Sequence, residues 1–493
     1  MGNGRRGAPA PVIERGETDT MSLFEKKPLA KIFAESEGGE HQLKKTLGPV
    51  NLIALGIGAI IGAGLFSLTG IAAADHAGPA VILSFVVAAI GCAFAGMCYS
   101  EFATMIPIAG SAYTYAYATM GELLAWIIGW DLVLEYAVGA ATVSVSWSSY
   151  VNKLFHMYGI NLPPSLVHCP WDTIPGIVNL PAILVVLAIS LLLIGGISES
   201  ARVNAVIVVI KVAVVIVVIC IGFGMVRAEN YVPFIPPNTG TFGEFGISGI
   251  MRAAGVIFFA YIGFDAVSTA AQEAKKPQRD MPIGIIGSLA ICTVLYILFG
   301  RVLTGMVPYR TFHGDASPAA TVIALFPYKW LQTCIVGGII AGYTSVILVM
   351  LLGQSRVFYS MSRDGLLPKL FSDIHPKFQT PYRCNIVFMI FVPLFSGFLP
   401  ISSLGEMTSI GTLLAFVIVC VGVLVMRKTN PALPRPYKTP LVPLVPILGV
   451  VVCLSMMCFL DMLTWIRLFV WLGIGFLIYF GYGRKHSHLR PGR

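Results

Sequence analysis

Charged side chains are scarce in this chain, and five of them fall where charge is expensive. Lys211 lies in "NAVIVVIKVAVVIVV", an apolar run without a carboxylate to neutralise it. Asp131 and Glu135 lie in "IIGWDLVLEYAVG", Asp265 follows Gly263 in "YIGFDAVSTA", and Glu101 lies in "CYSEFATMIP". At the centre of a membrane helix each such group costs roughly 2.5–3.5 kcal/mol, so each is a functional candidate. The Lys211 ammonium must find oxygen on another segment, and a fixed lysine there supplies the positive charge that sodium-coupled transporters take from an ion. Asp131 and Glu135, four residues apart, share one helix face. Two carboxylates that close in a low dielectric hold a proton between them, so a proton is the coupling ion these acids suggest. No metal-ligand cluster, nucleophile–base pairing or nucleotide loop accompanies them, no cofactor is called for, and none of the eight histidines lies deep in an apolar run. The chemistry on offer is the handling of ions, not catalysis.

A second set of residues does its work through the backbone. "GIGAIIGAGLF" places Gly56, Gly58, Gly62 and Gly64 in a segment apolar enough for a membrane, where each glycine costs a regular helix about 1 kcal/mol relative to alanine. Gly263, in "GVIFFAYIGFDAVSTAAQEAKKPQRDMPIG", interrupts a later segment in the same way. Paired Gly-interrupted segments at corresponding places in two halves of a chain point to a transporter binding site. Unwound backbone survives in the membrane only where protein or a cavity supplies partners. A bound amino acid supplies them: its carboxylate takes N–H groups around Ile61 to Gly64 at a half-helix N-terminus, and its ammonium donates to carbonyls around Phe259 to Ile262. The competing reading makes Gly58 and Gly62 a small-xxx-small packing face. A dinucleotide loop is excluded, because no strand precedes the glycines and their spacing is wrong.

These residues need a membrane scaffold to position them. The chain has 493 residues, 56% of them hydrophobic and 12% charged, and its apolar residues form runs instead of soluble-core stripes. At roughly 20 residues per crossing, we expect an all-α integral membrane protein with about twelve spans, near 50–74, 80–106, 121–151, 177–195, 203–226, 248–272, 283–307, 331–360, 384–400, 408–426, 440–460 and 464–482. No cleavable signal peptide is expected before the first span; residues 1–20 read as disordered, and Met21 is a candidate start. With both termini cytoplasmic, about 25 of the 33 Lys and Arg fall on that side, as the positive-inside rule requires. The formal charge of +9 is therefore topological and implies no nucleic acid. The ten cysteines lack the spacing of a disulfide framework or metal site, and Cys169, in a loop, has no evident partner. The first and sixth spans occupy equivalent places if the first ten spans form two five-helix repeats. We expect a cytosolic segment 1–45, repeats 46–226 and 248–426 with the second inverted, two additional helices in 440–482, and a cytosolic tail 483–493. Hydroxyls on the eighth span, at Tyr343, Thr344 and Ser345, face either the first span or their own backbone.

The motifs "GIGAIIGAGLF", "MIPIAGSAYTYAYATMGE", "YIGFDAVSTAAQEAKKPQRDMPIGI" and "GQSRVFYSMSRDGLLP", in that order, resemble amino acid permeases of the amino acid–polyamine–organocation superfamily. The likeness is to the cationic amino acid transporter branch and its bacterial relatives, and it runs from about residue 45 to residue 485. It implies the leucine-transporter type of fold, with two inverted five-helix repeats and two extra helices. It also implies secondary transport of L-amino acids across the plasma membrane by alternating access, proton-coupled or exchanging, and independent of sodium. Substrate carboxylate would lie on Ile61, Gly62, Ala63 and Gly64, and the amino group on the backbone of Phe259, Ala260 and Ile262. Lys211 matches the lysine that replaces sodium in proton-dependent relatives. Met350 falls where the family lines its side-chain pocket, which argues for small substrates. Ala63 departs from the hydroxyl residue common at its position, at the cost of one side-chain bond to the carboxylate.

Three readings follow. The first is a proton-coupled symporter of small neutral L-amino acids. The second is an exchanger or facilitator of arginine, lysine or ornithine, with the acids binding substrate. The third is an amino acid sensor, or one subunit of a complex with a small accessory membrane protein. None of them is an enzyme.

Overall fold

The computed structural model describes residues 23–28, 47–106, 111–196, 201–271 and 274–489. The expected disorder of residues 1–20 and the candidate start at Met21 lie outside them. Among the described residues the protein is all-helical apart from one isolated bridge, Leu47 to Ala274. Among these residues seven helices are long and apolar enough to cross a membrane, and five shorter apolar helices accompany them. The longest, Gly64–Met105, joins the second part of the first expected span to the whole of the second. Each of the twelve expected spans has a helical counterpart, and we number the helices by span.

Burial sorts them. In the third helix, Glu122–Met157, 83% of the apolar window is inside the protein, against 22% in the twelfth, Met462–His486. The twelfth and the fifth (Ala201–Phe223) turn Phe469, Val470, Leu477, Val203, Val206 and Val209 outward. In a membrane those faces meet lipid, so exposed apolar side chains there carry no penalty. The first helix opens on Pro49, at a position where the missing N–H is no loss. It packs against the fifth helix and against the seventh, Pro277–Met306; the eighth, Lys329–Arg363, packs on the third and fifth.

Besides the twelfth, which ends in a π turn at Tyr479–Gly483, three helices depart from regularity, two of them where glycines mark the sequence. The first helix runs Pro49–Ile60; Ile61 leaves the helix with ψ 108°, and helical backbone resumes from Ala63 into a wide π turn, Gly64–Leu68. The sixth runs Gly246–Ile257, tightens to 3₁₀ over Phe258–Tyr261, breaks at Ile262 (ψ 136°) and turns through Gly263 at φ +114°. The third carries a π turn at Leu134–Val138, centred on the "LEYAV" that contains Glu135. Such one-turn π segments favour functional sites.

Both tails meet at one end of the bundle. The Lys27 ammonium lies 2.6 Å from Asp364, at the end of the eighth helix, and the Tyr113 hydroxyl donates to the other Asp364 oxygen at 2.7 Å. The Glu122 and Leu123 N–H groups donate to Glu25 and Leu23 carbonyls at 3.0 and 3.1 Å. From the other tail, the His488 N–H donates to the Asp364 carbonyl at 3.0 Å, and Ser487 and Tyr479 donate to Glu122.

Candidate substrate and ion site

The two interruptions lie against each other. A Cβ on Gly64 would stand 2.2 Å from the Ala260 Cα, and one on Gly263 2.8 Å from the Ala59 carbonyl. Neither neighbour can yield, because both are backbone, so glycine at these positions is what lets the breaks touch. The packing alternative holds in part: Gly58 and Gly56 sit tightly on Val208 and Ser288. A Cβ on Gly62 would meet only Val346, at an ordinary 3.6 Å.

Breaking a helix releases backbone groups that must be accounted for. On the first helix the Ile61 N–H still reaches the Ile57 carbonyl at 2.9 Å. The Gly58 carbonyl accepts from the Lys211 ammonium at 2.8 Å. One hydroxyl, that of Tyr296 on the seventh helix, lies 3.0 Å from the Ile60 carbonyl and 2.9 Å from the Ala260 carbonyl. It bridges the two breaks. The N–H groups of Gly62, Ala63 and Gly64 head the resumed helix, where geometry gives them no intrahelical acceptor and the helix dipole is positive. Beyond the break, the Phe66 carbonyl accepts from Tyr150 at 2.7 Å, and Ser67 and Tyr343 share a bond of 3.1 Å. Of the eighth-helix hydroxyls, Tyr343 therefore meets the first helix, while Thr344 bonds its own backbone at Ile340.

Lys211 is 2% exposed, and its stem packs on Gly342 of the eighth helix. The fifth helix thus delivers an ammonium to the carbonyl end of the broken first helix, the end that favours a cation.

The acids divide into two groups. Glu135, Asp265 and Asp131 are buried in the protein interior. Glu135 lies beside Asp265 and Thr412, and neither its carboxylate nor that of Asp131 makes a hydrogen bond of standard geometry among the described residues. The Tyr136 hydroxyl donates to Asp265 at 3.3 Å, and Asp131 faces Gly411 of the tenth helix, Ile401–Thr429. Glu101 stands apart. Arg427 grips it with two bonds of 2.8 and 3.1 Å, the Arg435 guanidinium is 3.3 Å away, and the Thr439 N–H donates at 2.8 Å. It ties the second helix, Val81–Met105, to the end of the tenth and the segment beyond.

Met350 is buried, with its sulfur 3.2 Å from where a Cβ would stand on Gly139 of the third helix. One turn earlier, Val346 faces the first break. Tyr296, Val346 and the π turn at Glu135 are site features that the sequence reading did not single out.

Residues 47–478 match the family model described as "Amino acid permease". The chain is 45% identical over 471 residues to the branched-chain amino acid permease BcaP of Bacillus subtilis (strain 168), covering 95% of this chain and 99% of that one. It is 43% identical over 469 residues to the methylthioribose transporter of the same organism, with the same coverage. It is 38% identical over 413 residues to the vacuolar cationic amino acid transporter 4 of Arabidopsis thaliana, covering 83% and 68% of the two chains.

Proposed function

The chain belongs to the amino acid permease family, and from that membership we propose a proton-coupled symporter of small neutral L-amino acids, working by alternating access in the plasma membrane with both termini cytoplasmic. The observation that carries this reading is the pair of opposed breaks. Donors at Gly62, Ala63 and Gly64 suit a carboxylate beside Ile61, whose own N–H is held by the Ile57 carbonyl, and carbonyls at Phe259, Ala260 and Ile262 suit an ammonium. Val346 and Met350, on the eighth helix, limit the side chain, which favours small apolar substrates. The similarity to a branched-chain amino acid permease agrees with that choice. Lys211 supplies a fixed positive charge at the Gly58 carbonyl, so no sodium is needed. The proton resides on the inner acids, and Glu135 beside Asp265 is the favoured pair, since adjacent carboxylates share one proton most readily. Asp131 is the reserve candidate. Glu101, saturated by two arginines, is the weakest. The repeats are 46–226 and 248–426, inverted relative to each other and followed by two helices in 440–482.

The test is uptake of labelled valine, alanine, arginine and methylthioribose into proteoliposomes holding only this chain, with and without an inward proton gradient. Neutral amino acid uptake that rises with the gradient is expected. Arginine uptake indifferent to pH would favour the cationic exchanger. Binding without flux in the purified chain would favour a sensor or a subunit of a complex.

A further inference from the structure

At the end of the bundle opposite the tails, a crevice of about 630 Å³ opens between the loop at Thr241 and Phe242, the start of the sixth helix, and the turn joining the eleventh helix (Leu444–Phe459) to the twelfth. It lies within the size range that houses drug-sized ligands, ~300–1,000 Å³, more than a free amino acid fills. Arg252 lines it, mostly buried, with its Nη2 3.9 Å from both Glu406 and Asp461, beyond hydrogen-bond length. Its Nε has no partner among the described residues. Glu406 is already engaged by the Thr464 hydroxyl. Asp461 caps the twelfth helix through the Met462 N–H at 3.0 Å and keeps 43% of its side chain exposed. Around this charged centre stand the aromatic rings of Phe242, Trp465 and Phe469. Phe469 continues onto the exposed apolar face of the twelfth helix with Ile466 and Val470.

We propose that this crevice binds the headgroup of a zwitterionic phospholipid of the phosphatidylethanolamine type, its phosphate on Arg252, its ammonium between Asp461 and the aromatic faces, and its acyl chains along the twelfth helix. The guanidinium has unused donor capacity and geometry suited to phosphate. An ammonium is drawn both to a carboxylate and to an aromatic face. Two carboxylates against one guanidinium leave the mouth without net positive charge, so an anionic lipid lacking an ammonium gains Arg252 but meets Asp461. The continuous apolar face distinguishes a lipid from a free zwitterion, which has nothing to place there. The site sits on the first turns of the sixth helix, and the proposal stands whether or not the transported substrate is the one inferred above.

The crevice contains its own reporter. Cys458 is exposed and lines it, while Cys220 and Cys334 are exposed elsewhere. The full chain, delipidated in detergent, is titrated with phosphatidylethanolamine, phosphatidylglycerol, soluble glycerophosphoethanolamine or valine, and N-ethylmaleimide labelling of each cysteine is followed by peptide mass spectrometry. At about four times its dissociation constant, phosphatidylethanolamine is expected to slow Cys458 labelling about fivefold, as occupancy requires, and to leave Cys220 and Cys334 unchanged. Asp461→Asn keeps the helix cap and should lose most of that protection; Arg252→Gln should lose it as well. Equal protection by phosphatidylglycerol, full protection in the Asp461→Asn protein, protection by the soluble headgroup or by valine at the same concentration, or no protection by any lipid would each overturn the proposal.

Discussion

Replacing Lys211 by methionine removes the ammonium and its charge-assisted hydrogen bond to the Gly58 carbonyl while keeping most of the packing. The lysine stem lies on Gly342, where a residue of similar length and volume fits, so the loss falls on the ammonium and its contacts, among them the 2.8 Å bond to the Gly58 carbonyl. Hydrogen bonds to charged groups contribute roughly 1.5–3 kcal/mol. If that energy holds the first helix in its substrate-ready break, its loss weakens substrate binding by about tenfold to 150-fold. Burying an ammonium has its own cost, so the folded protein loses less stability than this, or none. The expected result is a monodisperse protein whose melting midpoint is close to that of the parent and whose proteoliposome uptake, at substrate concentrations well below the parent's KM, falls by about tenfold to 150-fold. Substrate-induced thermal stabilisation should disappear with it. Unchanged uptake, or uptake lost only together with a collapse in melting midpoint, would remove Lys211 from the mechanism and leave it a structural tether.

Three further outcomes are expected. Tyr296→Phe leaves the Ile60 and Ala260 carbonyls short of a donor and should destabilise the protein by about 1–3 kcal/mol, read as a lower melting midpoint; a rise in KM for uptake with kcat nearly unchanged would show that the breaks also lost their registration for substrate. Lys27→Ala and Asp364→Asn should be non-additive, with a coupling of about 1–3 kcal/mol in a double-mutant cycle on unfolding, whereas additivity within ~0.5 kcal/mol would mean that the tail contact contributes nothing. Burial pushes the Cys169 thiol up to about 12, so at pH 8 in the folded protein the thiolate is scarce and maleimide labelling should be slow until denaturant is added; labelling as fast as that of a free thiol would contradict the packing of that loop.

The sequence disclosed what depends on composition along the chain. Apolar run length placed a helix at each of the twelve expected spans, and glycine in the wrong setting marked both breaks, because a helix interrupted in lipid leaves a local signature whatever its neighbours do. Lys211 was legible for the same reason, as a charge without local compensation. What stayed hidden depends on rotation about helix axes. A helix apolar on every side gives no period from which to tell that Val346 and not Met350 faces the first break. Tyr296 is one tyrosine among eighteen, with nothing in its neighbourhood to show that its hydroxyl reaches two carbonyls. The partners that saturate Glu101 lie more than 300 residues away, so its acidity stood out in the sequence while its neutralisation did not.

The Tyr296 hydroxyl has one proton and two carbonyls competing for it, one on each broken helix. As long as the breaks stay together, the donor serves both. If they slide apart, it can leave with either, and the carbonyl left behind is the one exposed to whatever enters the gap. The joint can therefore shear without passing through a state in which the donor is idle, and the side it follows decides which half of the site gains an open acceptor. Under the alternating access proposed above, that single shared proton is placed to act as a toggle.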